Sequence, residues 1–119
     1  VLGSYLLRTT ECAWPQVLKN QIAWCDDAAT RMTALTSGRL SRVLPTGLSE
    51  ALGEAGLDIS AYPGQLRVLE PIYRKALEIG RLDLLEVPLG QAAQMAPAMS
   101  AFDAVKRLSD DLDALLGEM

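Results

Sequence analysis

The sequence predicts an all-α fold. It reads as a single helical domain over residues 1–119, a small bundle of four to six helices, two of them longer, at about 15–36 and 98–117, with short broken helices between. Three observations carry this. Leu and Ala dominate a 119-residue chain that is 50% hydrophobic and only 5% aromatic, a balance better suited to helices than to a sheet of β-branched and aromatic side chains. Apolar residues recur at alternating steps of three and four, the period that gathers side chains on one helix face. Most prolines and glycines fall between these periodic stretches, where helices start and stop.

Taken in order, the apolar lead-in through Trp14 stops at Pro15, a residue at home in a first helical turn. Leu18, Ile22, Cys25, Ala29 and Met32 then form one seam, which predicts a helix to about Thr36, closed by Ser37-Gly38. "RLSRVL" reads as one or two turns ended by Pro45. Thr46 can cap a short helix through Ala55, with Gly56 beyond its end. "DISAYPG" reads as a loop, and "QLRVLEPIYRKALEI" as a helix that bends or restarts near Pro71 and ends at Gly80. "RLDLLEV" gives one or two more turns, and Gln91 to Ala96 a small uncharged segment before Pro97. The last helix has the clearest pattern: Ala98, Ala101, Val105, Leu108, Leu112, Leu115 and Met119 repeat with the spacing of helices packed side by side.

Charge and composition narrow the chemistry. A net charge of −4 argues against the broad basic face that binding phosphates requires, so nucleic acid is not an expected partner. The longest uncharged run, 87–102, contains two prolines and falls short of the roughly 20 apolar residues of a membrane span. Two cysteines are too few for a disulfide scaffold, which points to a reducing, cytoplasmic setting. Histidine is absent, which removes Ser-His-Asp and Cys-His nucleophiles and histidine metal sites. No glycine-rich phosphate loop is present.

The stretch "ECAWPQVLKNQIAWCDD" concentrates both cysteines and both tryptophans. On a continuous helix Cys12 and Cys25 would stand about 20 Å apart along the axis, whereas a disulfide needs Cα atoms within about 7 Å. Both thiols are therefore expected to be reduced, with Cys25 in the core and Cys12 more exposed, and Trp14 and Trp24 are expected as core or hinge anchors. The acidic residues read mainly as solvated faces, since Asp27, Glu70 and Asp103 each precede an arginine by four residues. Arg31, Arg39 and Arg42 form the densest basic segment and read as surface.

These features favour a non-catalytic protein-interaction or assembly module, as a subunit or accessory domain of a larger complex or as a homodimer. The expected partner is another protein chain or a second copy, and no cofactor is expected. The candidate contact residues are Met95 and Met99, whose flexible side chains adapt to apolar partners, with Phe102, Leu108, Leu112 and Leu115. The alternative is a small helical enzyme or ligand-binding domain with an acidic divalent-metal site. Asp110 and Asp113, three residues apart on one side of the last helix, are its best-placed pair.

Overall fold

The computed structural model describes residues 3–119. It is about 52% helical and carries a small three-stranded antiparallel sheet, so the expected all-α bundle gives way to a helix-rich mixed α/β fold. Among the described residues the helices are α1 (Gly3–Leu6), α2 (Gln16–Trp24), α3 (Gly47–Ala55), α4 (Gly64–Ile79) and α5 (Ala101–Gly117). The strands are β1 (Arg31–Thr33), β2 (Ser41–Leu44) and β3 (Val87–Pro88). Two compact units divide the chain. One joins the segment ending at Cys25 to Ala92–Met119, and the other is Asp26–Gln91.

The expected helix over 15–36 is the main casualty. Its first part survives as α2, but the helix ends at Trp24. The Asp26 side chain then accepts the N–H of Ala28 at 2.9 Å, and its carbonyl accepts the N–H of Ala29 at 3.2 Å. An aspartate that bonds its own neighbourhood in this way competes with helix continuation. The seam residue Met32 lies in β1 instead, opposite Arg42, while Arg31 faces Val43 and Thr33 faces Ser41. "RLSRVL", expected as helical turns, supplies β2, and β3 closes the other side, with Val43 opposite Pro88 and Leu44 opposite Val87. Val43 and Val87 are buried on this sheet, a position that β-branched side chains fill well.

The β1–β2 connection is fixed by contacts within its own unit. Gly38 adopts φ +80°, its N–H bonds the Ala34 carbonyl at 2.8 Å, and any Cβ there would lie 2.7 Å from the Tyr62 nitrogen. Buried Gln65 at the start of α4 donates to the Leu35 carbonyl at 2.8 Å and accepts the Ser60 N–H at 3.2 Å. The Thr36 hydroxyl donates to the Glu86 carboxylate at 2.8 Å. Leu69, Ala76, Leu85 and Leu89 complete the apolar core of this unit.

Helices α3 and α4 follow their local signals. Thr46 caps α3 and exchanges reciprocal hydrogen bonds with Ser49, and Gly56 ends it in the left-handed region. Gly80 ends α4 likewise, but α4 runs unbroken through Pro71 rather than restarting there. The hydrogen bond that Pro71 cannot donate leaves a carbonyl one turn back at exposed Arg67, where solvent can satisfy it.

In the other unit, α2 buries Leu18, Lys19 and Ile22 and packs on a 3₁₀ turn at Ala93–Met95, where buried Ala93 and Ala96 allow close approach. The Lys19 ammonium is satisfied by the Thr9 carbonyl at 2.7 Å. Trp24 points away from that face and is 89% exposed, so it anchors no core, and Trp14 is half-buried. Cys25 is buried, Cys12 is half-buried, and neither forms a disulfide. No helix among the described residues is long and apolar enough to cross a membrane.

Candidate functional site

The start of α5 is held firmly. Ser100 is its N-cap, accepting the Asp103 N–H at 3.0 Å while its hydroxyl donates to the Asp103 carboxylate at 2.7 Å. Asp103 thus serves the cap rather than the expected pairing with Arg107. The Ala101 N–H donates to the carboxylate of Glu11 at 2.8 Å, and the Thr10 N–H donates to the Met99 carbonyl at 3.1 Å. One turn on, the Tyr5 hydroxyl donates to the Ala104 carbonyl at 3.2 Å, and Ala104 itself is 0% exposed. An alanine at this point lets the helix lie close against its unit. Ala101 and Leu108, on the same face, are half-buried.

Beyond Leu108 the support stops. Every residue from Ser109 to Met119 is exposed, and Leu112, Leu115 and Leu116 lie among them. Because Ala101, Ala104 and Leu108 take the inner face, the free apolar stripe is turned relative to the seam read from the sequence. It runs Phe102, Val105, Ser109, Leu112, Leu116, Met119, again in steps of three and four, from 75% exposed at Phe102 through 54% at Leu112 to 95% at Met119. Leu115 borders this stripe. Exposed ion pairs line the helix, Lys106 to Asp110 at 2.6 Å and Arg107 to Asp111 at 4.0 Å.

The structure therefore brings Phe102, Leu112 and Leu115 onto the exposed part of one helix and tucks Leu108 partly beneath it. Met95 is exposed at the end of the 3₁₀ turn, and Met99 is half-buried just ahead of α5. Val105, Leu116 and Met119 belong to the free stripe although they were not among the candidate contact residues. Leu116 lies off the original seam altogether. Small Ala101 and Ala104 were the signal, since a helix approaches its own unit most closely where its side chains are smallest.

The acidic pair does not form a centre. Asp110 accepts Lys106, Asp113 is exposed, and no three His, Cys, Asp or Glu side chains among the described residues are grouped to hold a metal ion. In the second unit a groove of about 630 Å³ separates the β1–β2 hairpin from α3, with Arg31 on one side and Glu50 and Glu54 on the other. Its Ser49 hydroxyl is engaged with both the N–H and the carbonyl of Thr46. The basic segment is likewise dispersed: Arg42 bonds the Thr30 hydroxyl at 3.2 Å, and Arg39 stacks over the Tyr62 ring at 4.2 Å.

No family model, curated protein or solved structure matches this chain.

Proposed function

We propose that this chain is a non-catalytic interaction or assembly module that docks another protein chain on the free apolar face of α5. One observation supports the reading: Leu112, Leu115 and Leu116 stand exposed on a helical segment that extends past its last packed residue, Leu108, and Met119 is exposed just beyond the end of that helix. An unsupported helix of this length is marginal in water, because packing of an amphipathic face supplies most helical stability. Burying a leucine contributes about 1.5–3 kcal/mol. A partner laid along the stripe would therefore both order the helix and remove the apolar surface from solvent.

The test is the double variant Leu112→Glu, Leu116→Glu, with thermal unfolding followed by circular dichroism at a concentration where light scattering gives the monomer mass. A docking face predicts that the isolated chain keeps its stability to within about 0.5 kcal/mol, as surface substitutions do. A loss of about 2–5 kcal/mol per site, the cost of truncating a buried leucine, would show that these residues serve the chain's own core and overturn the proposal.

A further inference from the structure

We infer that the occupant of this face is a second copy of the chain, whose α5 lies antiparallel to the first. This rests on the interaction reading above and names its partner.

Register supports the pairing. Phe102, Val105, Ser109, Leu112, Leu116 and Met119 occupy alternate core positions of a heptad. When the stripe is laid antiparallel on itself, with a two-fold axis level with Asp110 and Asp111, every core position meets another. Phe102 faces Met119 of the second copy, Val105 faces Leu116, and Ser109 faces Leu112. The one polar core residue falls beside the axis, and the ends of the strip are apolar on both copies. Over this length, about 26 Å, the drift between a straight helix and a seven-residue repeat is small.

Charge selects the direction. The first half of α5 carries Lys106 and Arg107 with a single acid, Asp103, while the second half carries only acids, Asp110, Asp111 and Asp113, with Glu118 just beyond. In the antiparallel register the residues flanking the core are Lys106 against Asp113 on one edge and Leu108 against Leu115 on the other. Two-fold symmetry forms each contact twice. Both Lys106 and Asp113 are exposed, so both are accessible to a second helix. Lys106 already reaches Asp110 one turn along, and Asp113 extends that acidic partner set across the interface. A parallel pair would instead stack the two acidic halves on each other and place no opposite charge beside Lys106, and flanking charges of this kind set helix orientation. The antiparallel arrangement also opposes the two helix dipoles.

The experiment measures the mass of the full chain by sedimentation equilibrium from micromolar to submillimolar concentration, with helix content followed in parallel. The parent should dimerise. Lys106→Glu alone sets Glu against Asp113 twice, and Asp113→Lys alone sets Lys against Lys106 twice, so each should weaken dimerisation by about tenfold. Mixing the two impaired variants should restore association to within about threefold of the parent, because the mixed dimer regains an opposite-charge contact on both sides of the axis. Any change a substitution makes within its own helix is present in the single variants and in the mixture alike, so recovery reports only the contact between copies. A parent that stays monomeric throughout, with a stable Leu112→Glu, Leu116→Glu variant, would overturn the second-copy inference and leave the docking face standing. A dimer that ignores the charge reversals, or a mixture that fails to recover, would overturn the antiparallel register.

Discussion

The carboxylate of Glu11 accepts the backbone N–H of Ala101 at 2.8 Å, joining two residues 90 positions apart and placing a negative charge at the first turn of α5. Chain-distant capping of this kind satisfies a donor that the helix itself leaves open, and an anion there complements the helix dipole. The Ala101 N–H, followed by the Thr10 hydroxyl, holds the Glu11 carboxyl below its usual range. A lowered folded value means that this contribution is present above the ordinary carboxylate range and is lost as pH falls through the folded pKa. Glu11→Ala should therefore speed amide exchange at Ala101 severalfold. Glu11→Gln, which keeps an acceptor without the charge, should weaken the acid dependence of that protection. Unchanged exchange at Ala101 in Glu11→Ala would mean that the contact does not hold the helix start.

Two left-handed glycines should respond differently to the same substitution. Gly56 has φ +59° with open space where a Cβ would stand, so Gly56→Ala should cost about 1–2 kcal/mol, the conformational penalty alone. At Gly38, φ +80°, a Cβ would overlap the Ser60 carbonyl and crowd the Tyr62 nitrogen, both backbone atoms that cannot swing aside. Gly38→Ala should cost more than about 3 kcal/mol, in the range reserved for strain at a special backbone position. Urea unfolding of the pair checks the ordering, and equal losses would contradict the close approach.

Tyr73 carries a buried hydroxyl that meets no hydrogen-bond partner among the described residues. Burial, and then the charge of Glu86, push its pKa up to about 12. A raised folded value means that the neutral form is favoured in the native state, so this contribution is whole below the ordinary value of 10.0 and is lost as pH rises toward about 12. Ultraviolet titration should show a late phenolate transition that is absent in Tyr73→Phe. The variant should match or exceed the parent's stability at neutral pH by up to about 1 kcal/mol, since it removes an unpaired buried polar group, and it should lose less stability at high pH. A Tyr73 phenolate forming at the ordinary value would refute the burial argument.

Elements whose ends are set by one or two residues were legible in the chain. Thr46 and Gly56 bound α3 as read, and Gly80 ends α4, because a cap or a left-handed glycine acts on its immediate neighbours whatever surrounds it. The last helix showed itself through its apolar period. The sheet did not, because the spacing that put Met32 on a helical seam is short and ambiguous. Nothing within Arg31–Thr33 reveals that Ser41–Leu44 will pair with it.

The sequence by itself determined the two ends of α3 and the end of α4, that the last helix is amphipathic, and that histidine chemistry is closed to this chain. Only the tertiary structure decided which face of that helix is free. The period marks apolar side chains but does not say which of them the chain's own packing will use. The Tyr5 hydroxyl bonds the Ala104 carbonyl and Ala104 is fully buried, so the inner face runs through Ala101, Ala104 and Leu108. The outward stripe accordingly turns to Phe102, Val105, Leu112 and Leu116. That choice is made by packing and hydrogen bonding to residues some ninety or more positions away, Tyr5 and Glu11 among them, and a local pattern carries no record of it.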